Sequence, residues 1–577
     1  MPTQHTPLHR AAADAFARFG GMAASDLELL KVETPRPEHG DVAVACFALA
    51  KVKQKNPAQL AQEIAAAFQP TDLLVSATAV GPFVNFRANR AATYRWIVDS
   101  ALEHTLVPRR HGEGQTICID YSSPNISKHL AYHHIRSTVI GHALAQIYRA
   151  LGYRVVGINH LGDWGTTHGM LLAAWNLWGP IEPLDITALN DLYVRFREAM
   201  KQNPALEDQG RAWFKRLESG DAEARALWQQ FRDVSWAEYE SVYQKLGIKF
   251  DEVRGESAYE PDLPRVMKEL RAKNLVTTSD GAQVVVLEGE KTPILLETKD
   301  GTTLYATRDV AAAEYRWNTY QFNRSLYVVD RGQALHFRQL FKLLAKAGHE
   351  WATRCQHVPF GLVRLGGKKT GSRAGNVVLL KDVLREAEAD VRTLISDINK
   401  DQPPEVLSAL LDRAAPVVGT GAVMFANLVS QREKDVDFEW EKVINLHGDS
   451  GPYVQYSHAR AAAIARKAGE TITSAKDIEF TRLTHDAEWA VAKRLLEFPE
   501  IVVRAADNAE PHVVCHYLLS LAGDFSSWYT LGNGDPALKV VCDDRETRRE
   551  RLALTAAVQA TLANGLALLG IGAPTQM

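Results

Sequence analysis

A chain of 577 residues is too long for one compact domain; at roughly 150 residues each it should divide into about three or four. Its content, 46% hydrophobic, 23% charged and 8% aromatic, is that of an ordinary folded protein and excludes a disordered, collagen-like or fibrous chain. Lys plus Arg (66) against Asp plus Glu (69) leaves −3, so no overall basic field exists and a nucleic-acid partner needs a local patch. Five cysteines, at 46, 118, 355, 515 and 542, are odd in number and scattered without a CxxC or Cys/His spacing. Neither a disulfide framework nor structural zinc is expected, and no metal ligands are assigned. The start, MPTQHTPLHR, lacks the apolar run of a secretory signal, and nowhere do ~18 uninterrupted apolar residues occur. A cytoplasmic protein with no membrane span is the expectation.

Residues 1–110 read as a small α+β unit. Asn56-Pro57 precedes AQLAQEIAAAF, in which Leu60, Ile64 and Phe68 recur every four residues, as on one helix face. VGPFVNFRAN begins with a Gly81-Pro82 break and then alternates like a strand. A linker at 108–112 follows. From Thr116, TICIDY predicts a strand, a polar loop follows, 135–151 predicts a helix, and YRVVGINH predicts a second strand. Together they make a parallel βαβ unit, which places ligands beyond the carboxyl ends of its strands and anions at the helix amino terminus. Residues 185–250 are dense in charge and aromatics at helical spacing, an inserted helical segment drawn out to about 300. Strand and helix alternate again through SLYVVD and HFRQLFKLLAKAG to 404, and 405–577 is nearly all helical pattern.

Four stretches put polar groups where a core would want apolar ones. In the first, Asp120, Ser122, Ser123, Asn125, Ser127 and Lys128 precede His129, His133 and His134; a cation and imidazoles at a helix mouth suit an anion, although a capped helix with solvated histidines has the same composition. In the second, Gly162 and Gly165 flank Asp163-Trp164, as a turn beside a ligand or a purely structural turn would. In the third, Tyr305 and Asp309 lie i,i+4 if a helix starts there, and could hold a cation together; a cap or an Asp309–Arg308 pair is the alternative. In the fourth, GGKKTGSRAGN interleaves glycines with Lys368, Lys369 and Arg373, suited to polyphosphate, yet it lacks GxxxxGK[ST] spacing and is no Walker loop. A flexible surface loop reads the same way.

Taken in order, these stretches resemble a class I arginyl-tRNA synthetase over essentially the whole chain. SSPNISK with HHIRST resembles that family's SPN(I)AK–HIGH region, INHLGDWGTTHGML its NH-GDWG segment, YATRDVAAAEYR its Y-TRD helix and GQALHFRQLF its Q-LHF segment; GKKTGSRAGNVV falls at the KMSKS position. VMFANLVSQREKDVDFEWE, GPYVQYSHARAAAIARK and LLGIGAPTQM resemble the helical anticodon domain, and PRPEHGDVAV with GPFVNFRAN the amino-terminal module. The resemblance implies a multidomain fold: a Rossmann-like (HUP-type) α/β parallel-sheet catalytic core with a helical insertion (111–404), an N-terminal α+β module that binds the tRNA D-arm (1–110), and a C-terminal all-α, DALR-type anticodon-binding bundle (405–577).

It also implies ATP-dependent formation of arginyl-adenylate, with Mg²⁺ on the leaving pyrophosphate, and transfer of arginine to the terminal ribose of tRNA(Arg) by a cytoplasmic monomer. Carried onto matching positions, Ser123, Asn125 and Gln333 take the arginine α-amino and carboxylate end. Tyr305, Asp309 and Glu256 are candidates for the guanidinium, with Asp120 opening the first motif. His133, His134, Lys369, Ser372 and Arg373 fall to ATP. Two departures stand out. His-x-Gly-His is replaced by Ala131-Tyr132-His133-His134, so that adenine placement needs His129 or His133 or is impaired. The second KMSKS lysine is Ser372, and the resemblance assigns its missing charge to Lys128. The alternatives are a synthetase-like paralogue with a changed acceptor or lost activation, and a non-catalytic tRNA-binding protein. Tyr453, Gln455, Tyr456 and His458 are candidates for tRNA contact, or one buried helix face.

Overall fold

A computed structural model describes residues 6–21, 30–36, 38–299, 303–365, 368–369 and 378–577. Helices α1 (Pro7–Gly20) and α3 (Pro57–Ala67) start alike: Thr6 and Asn56 accept backbone N–H bonds as N-caps, and proline occupies the first helical position, where no N–H is needed. Leu60 and Ile64 are buried, as their spacing predicted. With α2 (Phe47–Lys53), these helices pack on an antiparallel sheet of order β1-β2-β4-β3, built from Val32–Glu33, Val42–Ala45, Phe83–Ala88 and Leu74–Val80. The Gly81-Pro82 break is the turn between β3 and β4. Helix α4 (Arg90–Leu102) leaves this module to join the carboxyl-terminal helices: Tyr94 stacks on Phe480, and Asp41 accepts from Trp489 Nε1 at 2.8 Å.

The predicted βαβ unit is present as β5 (Thr116–Asp120), α5 (Ile135–Ala150) and β6 (Arg154–Asn159), with the two strands adjacent and parallel. Helices α6 (Thr166–Trp178), α7 (Ile186–Gln202), α8 (Ala205–Glu218) and α9 (Ala222–Lys245) form the insertion, around its own core of Trp164, Leu172, Phe196, Phe214 and Phe231. The insertion does not stay helical to 300. After β7 (Glu252–Val253) and α10 (Leu263–Ala272), three antiparallel strands follow: β8 (Thr277–Ser279), β9 (Ala282–Val285) and β10 (Ile294–Glu297). The cause is local: Asp280-Gly281 takes φ of 49° and 82°, the two left-handed positions of a tight hairpin between Ser279 and Ala282.

Helix α11 (Tyr305–Tyr320) then leads to β11 (Arg324–Tyr327), α12 (Ala334–Lys346) and β12 (Cys355–His357). The core sheet is parallel throughout, in the order β12-β11-β5-β6-β7. The chain leaves β5 toward β6 on one side and returns as β11 on the other, so the loops after β5 and β11 flank a crevice at the strands' carboxyl ends.

The division drawn at 404–405 is not a break in the structure. Strands β13 (Val363–Leu365) and β14 (Lys368–Lys369) precede α13 (Leu380–Ile398), which packs along α14 (Pro404–Leu428). Strand β15 (Val436–Phe438) then returns to pair in parallel with β13. Among the described helices α14 alone is long and apolar enough to cross a membrane; its Ala414, Val418, Ala422 and Phe425 are buried inside the protein. The chain ends in α15 (Trp440–Val443), α16 (Gly451–Ala468), α17 (Asp486–Asp507), α18 (His512–Gly534) and α19 (Arg545–Leu568). Gln455 and His458 are buried on α16 and bond to the carbonyls of Gly572 and Pro574, fastening the last segment down. One apolar cluster runs from the amino-terminal module through α5 into this bundle.

Asp163 joins the insertion to the core. Fully buried, its carboxylate accepts from Arg232 Nε on α9 (3.0 Å) and from Ser257 N (2.8 Å) and Oγ (2.9 Å), while its carbonyl accepts from Trp228 Nε1 (2.8 Å). The Gly162–Gly165 turn is therefore structural. Asp163→Ala should cost about 3 kcal/mol or more by leaving Arg232 without its partner, seen as a lower urea midpoint; an unchanged midpoint would deny Asp163 this role.

Candidate active site

The loop after β5 is an unlikely conformation made stable by its neighbours. Ser122, Ser123 and Ser127 have φ of 69°, 45° and 68°, values that side chains rarely adopt and that persist only where surrounding bonds over-determine them. From α5, Ser137 Oγ accepts from Ser122 N (2.9 Å) and donates to Val328 O (2.6 Å); Thr138 Oγ1 lies 2.8 Å from Ser122 Oγ. From α9, Tyr243 Oη bonds Ser122 Oγ (2.8 Å), Ser235 Oγ accepts from Ser127 N (2.9 Å), and Tyr239 Oη lies 2.8 Å from Asn125 O and 2.6 Å from Lys128 O. On the β6 side, Asn125 bridges to Gly162, where any Cβ would sit 1.9 Å from Asn125 Oδ1. Asn125 is thereby held exposed at the crevice.

Asp120 corrects one expectation. Only 6% exposed, it has both oxygens engaged: Oδ2 by the buried Arg316 of α11 at 2.7 Å, Oδ1 by Ser123 Oγ at 2.7 Å. Burial pushes this carboxyl up, but Arg316, His160 and Ser123 together hold it below its ordinary value. It braces Ser123 rather than presenting a carboxylate to a ligand. Ser123 Oγ in turn accepts from His160 N at 3.1 Å.

Helix α11 does begin at Tyr305, and Tyr305 and Asp309 share a face: the His336 ring lies 5.0 Å from that of Tyr305, and His336 Nε2–H donates to Asp309 Oδ2 at 2.6 Å. The anticipated Asp309–Arg308 pair is absent among the described ion pairs; Arg308 instead reaches Glu256 at 3.1 Å. Burial pushes the Glu256 carboxyl up, with Arg308 and His160 pulling it back. Gln333 is exposed at the start of α12.

At the mouth of α5, His134 Nδ1 lies 3.0 Å from Ala131 N and 3.1 Å from Ala131 O, which anchors the ring to the backbone. Burial, then the neighbouring His133, holds the ring near a pKa of about 3, so it is neutral. The His133 and His134 rings lie 4.1 Å apart. His129 is committed to the insertion, at 3.3 Å from Glu238 and 3.2 Å from Thr187. Lys128 Nζ lies 4.8 Å above the Tyr193 ring. Ala131 pairs with Leu379, which fixes the chain leaving the basic segment to the start of α5. The buried Arg136 donates to Asn427 O (2.8 Å), Arg432 O (2.6 Å) and Lys434 O (3.1 Å), just ahead of β15, the partner of β13. Of the basic segment itself, Lys369 is described only as backbone in β14, and Ser372 and Arg373 lie outside the described residues.

Sequence reasoning missed Ser235, Tyr239 and Tyr243 as supports of the loop, although their four-residue spacing on α9 was visible; spacing alone says packing, not hydrogen bonding. It also assigned nothing to Arg136, His160, Arg316 or His336, whose partners are distant in sequence.

Comparison with known proteins matches the chain along nearly its whole length. A family model described as tRNA synthetases class I (R), catalytic domain, matches residues 97–440; the arginyl tRNA synthetase N terminal domain matches 7–88, and the DALR anticodon binding domain 454–577. The chain is 43% identical over 578 residues to an arginine–tRNA ligase of Exiguobacterium sibiricum, covering 99% of this chain and 98% of that one. It is 40% identical over 563 residues to the arginine–tRNA ligase of Clostridium perfringens, covering 96% and 97%. The solved Thermus thermophilus arginyl-tRNA synthetase superposes with a TM-score of 0.80 at 27% identity, over 98% of this chain and 100% of that one.

Tyr239→Phe removes two bonds from the loop while keeping the ring in the core. Turnover should fall about 10-fold with little change in melting temperature; unchanged turnover would mean that the loop is set without the Tyr239 hydroxyl. A second expectation concerns acid. Burial lowers His134 to about 3 and His142 and His168 to about 4, from 6.5. The unfolded chain binds protons there that the folded chain cannot, so stability is full above about 6.5 and lost as pH falls toward 4 and 3, by about 1.4 kcal/mol per unit and histidine. Melting temperatures between pH 7.5 and 5.5 should drop steeply, and less so in His142→Gln.

Proposed function

Because the chain belongs to the class I arginyl-tRNA synthetase family and joins arginine to tRNA with ATP, we propose that its arginine pocket is built on Asp309, with Tyr305 and Glu256. Ser123, Asn125 and Gln333 take the α-amino and carboxylate end. The observation that carries this reading is the contiguity of Ser123, His160, Asp309, His336 and Tyr305 at the carboxyl ends of β5 and β6, where a flat cation meets a fixed carboxylate. A pocket that pairs a guanidinium can reject analogues lacking it by ~10⁴ or more, so no editing step is needed.

Activation forms a bond from the arginine carboxylate to the α-phosphorus of ATP and breaks the bond to pyrophosphate. Charge builds on the leaving group, and donors aimed there lower the barrier. His134 supplies its neutral ring and Lys128 its ammonium; Lys369, Ser372 and Arg373 add to them from the basic segment. The ring of His133, beside His134, flanks adenine, since His129 is taken up by Glu238. Magnesium arrives with ATP as part of the substrate. The one group of three metal-type side chains among the described residues, Glu269, Glu314 and His349, is paired with Arg265 and Lys273 and takes no part.

Transfer to tRNA(Arg) needs a hold on the acceptor. On the helical bundle Arg460 lies over Tyr456 and Tyr529, at 4.8 and 5.4 Å, a cation between two rings suited to an unstacked base. Five unpaired cysteines, four of them buried, suit a reducing cytoplasm.

Arginine-dependent ATP–pyrophosphate exchange, run with and without tRNA, tests the reading. Asp309→Ala should raise the arginine KM about 100-fold or more, and Lys128→Ala should lower kcat with a smaller change in KM. Near-normal exchange in Asp309→Ala would take the guanidinium elsewhere. A wild-type chain that binds tRNA tightly but exchanges nothing would be a scaffold, and one that exchanges with another amino acid a paralogue.

A further inference from the structure

Asp309 stands between two histidines that treat its oxygens differently. His336, in the first turn of α12, donates Nε2–H to Oδ2 at 2.6 Å and so fixes the carboxylate plane. His160, just past β6, faces the other oxygen: its Nε2 lies 3.9 Å from Asp309 Oδ1, too far for a direct hydrogen bond. The far side of the His160 ring decides what Nε2 carries. Nδ1 sits 3.2 Å from Arg254 O, and a carbonyl can only accept, so Nδ1 bears the proton. In the neutral ring Nε2 is therefore a bare lone pair. Oδ1 and Nε2 are thus two acceptors 3.9 Å apart, and among the described residues neither accepts a hydrogen bond.

Such an arrangement is unfavourable when empty and favourable when a group with several N–H donors enters. We propose that His160 is a specificity-determining residue for arginine: its Nε2 lone pair accepts a guanidinium N–H beside the one that Asp309 Oδ1 accepts.

The inference rests on the arginine pocket proposed above, and the test separates the two. The arginine KM and kcat of pyrophosphate exchange are measured at pH 7.5 and saturating ATP for the wild type, His160→Ala, His160→Gln and Asp309→Asn. His160→Ala removes the acceptor and should raise the arginine KM about 10-fold or more at pH 7.5, with the ATP KM unchanged. His160→Gln places an amide oxygen near the position of Nε2 and should restore KM to within a few-fold. If His160→Gln is as impaired as His160→Ala, or His160→Ala keeps the wild-type KM while Asp309→Asn raises it, His160 is not a ligand and the pocket stands. If Asp309→Asn also leaves KM unchanged, the pocket itself is misplaced.

Discussion

A buried ion pair, Asp120 with Arg316, registers the parts of the crevice to one another. Arg316 lies on α11, three turns beyond Tyr305, and Asp120 ends β5, so the pair ties the helix that carries Asp309 to the strand that launches the serine loop. The second oxygen of Asp120 holds Ser123, and Ser123 holds the backbone of His160. Taking two charges out of water is expensive, and an apolar pair of equal volume is often as stable. What an apolar pair lacks is direction. A carboxylate with two partners at 2.7 Å sets the mutual placement of three segments from positions 120–123, 160 and 316 far more tightly than packing alone.

The helical insertion serves the same end from the other side. The φ values of Ser122, Ser123 and Ser127 would be costly in an isolated loop, and hydroxyls on α9 offset that cost. The insertion is thus a buttress, and Asp163 is where it is bolted to the core. Helix α5 faces both: its first turn supports the loop through Ser137 and Thr138, and through Arg136 it reaches the chain that leads into β15. Arg136 pairs with carbonyls rather than carboxylates, one of them at the carboxyl end of α14, whose dipole favours a cation.

Much of this was legible in the sequence, for physical reasons. The βαβ unit announced itself because β-branched runs, a polar loop and an apolar helix face each have one ready structural reading, and a helix does start at Tyr305, the condition under which Tyr305 and Asp309 lie i,i+4. The hairpin at Asp280-Gly281 was equally legible and was passed over because charge and aromatics nearby suggested a longer helical insertion. The role of Asp120 was not legible: a carboxylate at a strand end reads the same whether it meets a ligand or an arginine 196 positions away. Nor could the sequence tell Tyr239 the buttress from Tyr239 the core residue, since burial and hydrogen bonding share one periodicity. Pairings across hundreds of residues leave no local signature, and most of the site's supports are of that kind.

The bond from Trp489 to Asp41 spans 448 positions and joins the first module to the final bundle, with Tyr94 stacked on Phe480 beside it. During synthesis at ~5–20 residues per second, the early module must therefore wait roughly 20–90 s for its last partner to leave the ribosome. Meanwhile the faces of α4 that meet the final bundle stay uncovered. A nascent chain of this design closes its first module only near the end of its synthesis, so its yield in a cell will depend on chaperone supply more than its finished stability suggests.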